Sequence, residues 1–291
     1  MNKMHKFILV VLSSMTFSVV SYAQQAPKLP TAKRVIALAP HIVEMLFEVG
    51  AGEIIVGTTE HADFPEKAKN IKRIGNYARL NIEQVLALDP DLIIAWKTGN
   101  PSDDLARLEA LGVPIVYSDP LVLEDVAKEI QYFATLTGFE YEGRLASQKF
   151  LKALSAIRLK YINKSPINGF FELWANPLTT TANSAWSQQQ LMVCRVKNPF
   201  QQSVGDYPQI NVEQVILAAP KIIIQPSSHA NNAPAVVNWQ QWPDIPAVEN
   251  NAFIRPNADK LHRMTSRSLD ELAKMCQQID EIRGRYVKLA Q

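Results

Sequence analysis

Few of the residue patterns that mark enzyme chemistry occur in this chain of 291 residues. The sequence has no G-x-S-x-G nucleophile elbow, no Walker phosphate loop and no dinucleotide-binding glycine motif. His41 and Glu44 stand close together but do not form an H-E-x-x-H zinc motif. His41, Asp63 and several serines could be assembled into a hydrolase, so an exported hydrolase stays as a remote alternative. The sequence predicts a protein that is not an enzyme.

An excess of positive charge is also missing once the N-terminal segment is set aside. The chain has 30 Lys and Arg and 28 Asp and Glu, and the first 23 residues contribute Lys3, Lys6 and no acid. The remaining 28 bases balance the 28 acids, and no basic stripe remains. A nucleic-acid partner is therefore excluded.

Long apolar runs are confined to the N-terminus. Lys3 and Lys6 precede a mostly apolar stretch from residue 7 to 20, and Ser21-Tyr22-Ala23 offers small residues for signal peptidase. This pattern predicts a cleaved signal peptide over 1–23 and export to the periplasm, where we expect the free protein to be a monomer. An uncleaved anchor helix is the alternative, although the stretch is short for a span of about 20 residues.

Cysteine is scarce as well. Cys194 and Cys276 lie 82 residues apart, and neither has a Cys or His nearby at metal-ligand spacing. An oxidising compartment favours a disulfide between them. Two buried free thiols are the alternative.

An internal repeat organises the chain. Residues 80–95 read LNIEQVLALDPDLIIA, and residues 210–225 read INVEQVILAAPKIIIQ. In each copy an Asn caps a short helix, a Glu lies in its first turn, a Pro stops the chain from continuing as helix, and an apolar run follows. Such a run is typical of a buried parallel strand.

The surroundings of the repeat predict an α/β fold with two similar parallel-sheet lobes joined by a long rigid spine helix. The N-terminal lobe covers 24–139, the spine helix 140–165 and the C-terminal lobe 166–291. A helix of about 22 residues would be about 33 Å long. In such sheets the ligand lies beyond the carboxyl ends of the strands.

Three stretches resemble the class III solute-binding proteins of ABC importers. They are RVIALAP at 34–40 with Glu44 after it, DFP at 63–65, and ALDPDLII at 87–94. The resemblance covers essentially the whole chain after residue 23. It implies two lobes and one spine helix, with cobalamin, haem or a ferric siderophore as the ligand.

Within that family the cobalamin-binding branch is the most similar. IAW at 94–96 with GN at 99–100, YPQ at 207–209 with EQV at 213–215, and the segments ending in the two cysteines carry this likeness. The resemblance implies a protein that captures cobalamin between its lobes and delivers it to a permease dimer with ATPase subunits. Cobalamin is then cargo, and no catalytic cofactor is implied. Haem or a ferric siderophore remains the alternative ligand.

The same resemblance supplies a set of ligand contacts. It places Tyr77, Trp96 and Tyr207 in the cleft, and Trp174 joins them by its place near a predicted strand end. Packing in the core is the alternative for each ring taken alone. The last part of the set lies before the final helix and consists of Asp259, Lys260, Leu261, His262 and Arg263.

Not all of that last segment matches. Asp259 and Arg263 agree with the cobalamin-binding branch, whereas the three residues between them depart from it. Arg263 is expected to reach the phosphate or an amide carbonyl of the ligand. A surface Arg–Asp pair is the alternative.

His61 stands where the cobalamin-binding branch has a tyrosine. A loop imidazole there could hydrogen-bond a corrin side chain or occupy an axial position on cobalt or haem iron. A solvated loop histidine is the alternative. No other metal ligand is predicted.

Glu83 and Glu213 occupy matching positions in the two repeat copies. The resemblance implies that they pair with arginines of the importer's two membrane subunits. The alternative is that they are ordinary first-turn acids that stabilise the helix dipole.

Overall fold

The structure, a computed structural model, describes residues 31–228 and 236–289. The predicted signal peptide at 1–23 lies outside these residues. The strands are β1 (Val35–Ala37), β2 (Ile55–Thr58), β3 (Leu92–Trp96), β4 (Ile115–Ser118), β5 (Ile167–Phe171), β6 (Trp174–Ala175), β7 (Leu178–Thr179), β8 (Val196–Lys197), β9 (Ile222–Ile224) and β10 (Phe253–Ile254).

Helices fill most of the chain between these strands. The α-helices are α1 (Pro40–Glu48), α2 (Ile82–Ala87), α3 (Ser102–Ala110), α4 (Asp125–Thr137), α5 (Glu140–Tyr161), α6 (Trp186–Val193), α7 (Val212–Ala218), α8 (Pro246–Glu249), α9 (Ala258–Leu261) and α10 (Ser266–Leu289). Short 3-10 helices cover Gly52–Ile54, Glu66–Asn70 and Trp239–Gln241. No helix of the described ranges is both long and apolar enough to cross a bilayer.

Two four-stranded sheets share one topology. The first has the order β2-β1-β3-β4 and the second the order β8-β5-β9-β10, and all pairs are parallel. In both, the first strand in sequence lies between the second and the third. The predicted α/β fold with two similar lobes is confirmed by this equivalence.

The repeat copies occupy equivalent places in the two sheets. Helix α2 leads into β3, and α7 leads into β9. Asn81 Oδ1 accepts a hydrogen bond from the Gln84 amide at 3.0 Å. Asn211 does the same for Gln214 at 2.9 Å, and the Gln214 side chain bonds back to the Asn211 amide. These caps satisfy helix donors that would otherwise lack partners.

Helix α5 connects the two halves. It runs without a break for 22 residues and packs along α4. Gly143 permits this packing, because a Cβ at that position would overlap the Cβ of Ala134. One continuous cluster of buried side chains extends from the first sheet through α5 to the second, and includes Ile130, Phe150 and Phe170.

The start of the second lobe differs from the sequence expectation. The run FFELW at 170–174 predicts the opening strand of this lobe, but β5 begins earlier, at Ile167, where it pairs with Val196 of β8. Trp174 belongs instead to a separate two-stranded antiparallel hairpin made by β6 and β7. The alternation of residue types could not reveal this hairpin, since each of its strands is two residues long.

Cys194 and Cys276 form a disulfide, as predicted, with their Cα atoms 4.8 Å apart. Cys194 caps α6 and Cys276 lies within α10, and both residues are fully buried. The Arg283 guanidinium donates to the Cys194 carbonyl at 2.8 Å, so α10 is tied to this point twice.

Removing the disulfide should destabilise the protein considerably. We expect Cys276→Ser to lower the free energy of unfolding by about 2–4 kcal/mol, because the bond closes a long loop. The double variant Cys194→Ser/Cys276→Ser should match it within error in urea titrations. Denatured, unreduced wild-type protein should show no reactive thiol. Two reactive thiols, or full stability of Cys276→Ser, would contradict the expectation.

Candidate ligand-binding site

The carboxyl ends of both sheets carry aromatic side chains. Tyr77 follows residues 73 and 74, which extend the first sheet beside Thr58, and Trp96 ends β3. In the second lobe Trp174 lies three residues after β5, and Tyr207 lies between β8 and α7, two residues before Gln209, which bridges to Thr179 of β7. Tyr77 is 76% exposed, Trp174 56% and Tyr207 50%. Packing in the core is thereby excluded for these three rings, and exposed rings at the carboxyl ends of parallel strands suit a ligand.

Tyr77 lies in a tight loop whose backbone is held at several points. Gly75 has φ +145°, and its Cβ would overlap the Arg79 carbonyl, so only glycine suits the turn. The Asn76 side chain accepts from the amides of residues 78 and 79. Asp104 of α3 accepts from the Leu80 amide at 2.8 Å. The loop therefore holds a solvent-exposed ring on a rigid base.

Trp96 is positioned by its neighbours on the first sheet. Its ring meets His41 edge-on at 5.5 Å between centroids. Its amide donates to Asn100 Oδ1, whose side chain in turn donates to the Leu38 carbonyl at 2.8 Å. A Cβ added to Gly99 would overlap the indole. The ring is thus clamped at the end of the strand with one part exposed.

His41 takes part in a hydrogen-bond chain that is unsuited to catalysis. With Glu129 ionised, Ser118 Oγ donates its only proton to that carboxylate at 2.7 Å, and the His41 tautomer that fits donates from Nε2–H to Ser118 at 2.8 Å. In a catalytic triad the serine donates to the histidine instead. Burial, together with the charge of Arg263, lowers the pKa of His41 to about 3. His41 is therefore a neutral support for Trp96.

The second lobe presents its rings on linked backbone. Trp174 pairs with Thr179 across the β6–β7 hairpin, and Thr179 forms a bridge to Gln209. The Thr180 amide also donates to the Pro208 carbonyl at 3.1 Å. The loop that contains Tyr207 is therefore hydrogen-bonded to the hairpin that contains Trp174.

An ion cluster joins the carboxyl-end loops of the two lobes, and we call it the junction. Arg263, which follows α9, donates through Nη1 to Glu44 at 2.8 Å and to Asp63 at 2.6 Å. Its Nη2 donates to the His61 carbonyl at 3.1 Å. All three acceptors belong to the first lobe, so the carboxyl ends of the two sheets meet at this arginine.

Glu44 is the centre of the junction. Its side chain is 3% exposed and accepts from Arg263 and Arg267 through Oε1, and from Thr265 through Oε2 at 3.0 Å. Burial alone would raise the pKa of Asp63, but the hydrogen bond and charge of Arg263 outweigh it and lower the pKa. Both carboxylates are thereby paired with guanidinium groups.

The junction carries no net charge. It contains the carboxylates of Glu44 and Asp63 and the guanidinium groups of Arg263 and Arg267. Arg263 already donates to two carboxylates, so its expected contact with a ligand phosphate or amide carbonyl would share the guanidinium group with them. Arg263 is not part of a surface Arg–Asp pair, since its side chain is 13% exposed.

The remaining residues of the final segment separate into two groups. Asp259 accepts from the Ser228 hydroxyl at 2.8 Å, and Lys260 is half-buried. Leu261 is a correction to the expected contacts, because its side chain is fully buried in the core. Its carbonyl accepts from the side chains of Trp186 and Gln190. Leu261 therefore packs in the core and fixes the backbone of the final segment through its carbonyl group.

The two histidines of the predicted site differ in environment. His262 packs on Phe171 at 6.1 Å between ring centroids, and its buried Nε2 has no hydrogen-bond partner among the described residues. Burial lowers the pKa of His262 to about 4. His61 is exposed, has φ +66° and is held through its carbonyl. Within the described ranges no three His, Cys, Asp or Glu side chains are grouped to hold a metal ion.

Glu83 and Glu213 are exposed in the first turns of α2 and α7. The repeat extends further upstream than the sequence reading recognised, since GNYARLNIEQ at 75–84 matches GDYPQINVEQ at 205–214. Gly75 and Gly205 both have positive φ. In each lobe the exposed tyrosine therefore lies six residues before the exposed glutamate.

Comparison with known proteins agrees with this architecture. The periplasmic binding protein family matches residues 35–259. The chain belongs to the periplasmic binding protein family. It is 34% identical over 255 residues to the vitamin B12-binding protein of Vibrio campbellii, covering 87% of this chain and 92% of the relative.

Solved structures of the family share the fold. The periplasmic vitamin B12 binding protein BtuF of Vibrio cholerae has a TM-score of 0.78 and 34% identity, covering 86% of this chain and 98% of that one. The periplasmic heme-binding protein RhuT of Roseiflexus has a TM-score of 0.75 at 22% identity, covering 87% of this chain and 99% of that one. At 22% identity this second comparison supports the fold and not the ligand.

Proposed function

We propose that this chain is a periplasmic solute-binding protein that captures cobalamin between its lobes and passes it to an ABC importer. The observation that carries the proposal is the set of four aromatic side chains at the carboxyl ends of the two sheets, two from each lobe. They are Tyr77, Trp96, Trp174 and Tyr207. Cobalamin offers a flat corrin whose apolar faces suit such rings.

The charge of the junction supports cobalamin over the alternatives. Cobalamin has a fringe of uncharged amides and a single phosphate, whereas haem carries two carboxylates. A junction whose two guanidinium groups are matched by two carboxylates offers polar contacts to amides but no net attraction for anions. The vitamin B12-binding proteins among the relatives point to the same ligand.

His61, Asp259, Lys260 and His262 complete the proposed ligand surface. His61 is exposed and Lys260 is half-buried, so both offer polar side chains to a ligand. Nε2 of His262 is unpartnered but buried, so the exposed His61 is the imidazole that we favour for a bond to a ligand amide. Haem stays the second candidate ligand because imidazole also suits haem iron.

Transport rather than catalysis follows from this site. His41 is neutral and donates towards Ser118, which opposes a serine hydrolase. Exposed glutamates at equivalent positions of the two lobes, Glu83 and Glu213, support docking on a permease dimer, because a symmetric partner presents two equivalent surfaces. Export through the N-terminal signal and a monomeric free state belong to the same proposal.

A titration of purified mature protein tests the ligand. We expect cyanocobalamin to bind with a stoichiometry of one, and haemin and a ferric hydroxamate siderophore to bind at least about tenfold more weakly. Calorimetry and visible absorbance give independent readouts. Stoichiometric haemin binding without cyanocobalamin binding would replace cobalamin by haem.

A further inference from the structure

We propose that Glu44 and Asp63 set the charge selectivity of the cleft, so that it takes uncharged, amide-bearing ligands and rejects carboxylate-bearing tetrapyrroles. The inference rests on the proposed function, since it concerns the same cleft. Both residues lie in the first lobe, and both act on arginines of the second lobe.

The number of carboxylates is what makes the junction neutral. Glu44 alone already accepts hydrogen bonds from both arginines and from Thr265. With only that carboxylate, Arg263 and Arg267 would leave one positive charge uncompensated. Asp63 supplies the second negative charge through its 2.6 Å contact with Arg263.

The hydrogen bond between Asp63 and Arg263 does not require a charged acceptor. Its side chain is 54% exposed in the loop after β2, and the hydrogen bond that it accepts from Arg263 could equally be accepted by a neutral amide oxygen. Replacing Asp63 by Asn therefore keeps the size and the acceptor but leaves the junction with a charge of +1. Charges at the rim of a cleft act mainly on selectivity and encounter.

An uncompensated arginine at the junction would attract carboxylates. Arg263 is partly reachable from solvent, and Arg–carboxylate pairs are among the stronger charge-assisted contacts. A haem propionate would meet a neutral junction in the wild type and a positively charged one in the variant. We expect the affinity for a dicarboxylate tetrapyrrole to rise by about tenfold or more in such a variant.

Glu48 provides a matched control. It lies one turn after Glu44 on α1 and bonds to the Ser266 hydroxyl at 2.8 Å. It lines a crevice of about 400 Å³ that borders the junction and includes Phe47 and Lys149. Glu48→Gln removes a carboxyl group from the same helix without removing a partner of Arg263.

The experiment compares wild type, Asp63→Asn, Glu44→Gln and Glu48→Gln. Haemin, its dimethyl ester and cyanocobalamin are titrated against each, and thermal melting checks that each variant is folded. We expect the ratio of haemin to cyanocobalamin affinity to rise at least tenfold in Asp63→Asn and Glu44→Gln. Glu48→Gln should leave the ratio at the wild-type value, and the ester should show no gain in any variant.

Other outcomes would overturn the inference. They are a haemin affinity in Asp63→Asn within twofold of wild type, and an equal gain for the ester, which would make the effect steric. Asp63→Asn decides the matter if the buried Glu44→Gln variant fails to fold. Failure of the wild type to bind cyanocobalamin would refute the proposed function. That result comes from the cyanocobalamin titration of the wild type, whereas the inference is tested by the increase in haemin affinity of Asp63→Asn.

Discussion

Reversing the charge of both Glu83 and Glu213 should reduce importer-dependent uptake to background while leaving cobalamin binding intact. The two acids are exposed in the first turns of equivalent helices, one in each lobe. The backbone that carries each acid is held in place, because an asparagine side chain caps each helix. Two arginines placed there would repel the arginines expected on the permease, and like-charge contacts oppose docking strongly.

The loss should come from docking and not from unfolding. A first-turn acid contributes only about 0.3–1 kcal/mol to its helix, so Glu83→Arg/Glu213→Arg should remain folded. Uptake of labelled cyanocobalamin into vesicles containing the importer measures the effect. Glu142→Arg is a matched control, because Glu142 is an exposed first-turn acid of α5 outside the repeats. Normal uptake by the double variant would show that the two acids serve only their helices.

Displacing the Trp96 indole should weaken cobalamin binding by at least about 30-fold. Truncating a central aromatic anchor commonly costs 2 kcal/mol or more, which is about that factor. Trp96→Ala removes the ring outright. Gly99→Ala leaves the ring present but overlaps it, so the indole must leave its position between His41 and residue 99.

The two variants distinguish the effect of moving the indole ring from the effect of removing it. If the location of the ring matters, Gly99→Ala should lose most of the affinity that Trp96→Ala loses. Gly284→Ala is the matched control, because a Cβ there meets nothing within 4 Å. Calorimetry with cyanocobalamin gives the affinities, and a circular dichroism melt verifies folding. Wild-type affinity of Gly99→Ala would mean that the indole position is irrelevant to the ligand.

The sequence carried the information for the fold because its signals are local. Asn81 and Asn211 cap the helices expected from the repeat, and the apolar run after each proline forms a parallel strand. The disulfide was also within reach, since only one pairing of two cysteines exists. The hairpin that carries Trp174 was not, because two-residue strands leave no periodic pattern.

The site was only partly predictable. The two tyrosines were named as ligand contacts from the family resemblance, and both are exposed, whereas the junction was missed although Glu44 and Asp63 stand in recognised motifs. Arg263 and Glu44 are 219 residues apart, and nothing local in either segment specifies the other. Leu261 was misassigned because its neighbours are polar, while its own side chain turns into the core.

The repeated decapeptides at 75–84 and 205–214 have a consequence for how such proteins diversify. Each block contains an exposed tyrosine in a hydrogen-bonded loop and, six residues later, an exposed glutamate in the first turn of a capped helix. A recombination event that exchanges a block therefore transfers both groups together. In chimaeras built from two family members, a donor block would bring the proposed docking acid along with the proposed ligand ring, whereas the junction would have to be matched separately across the two lobes.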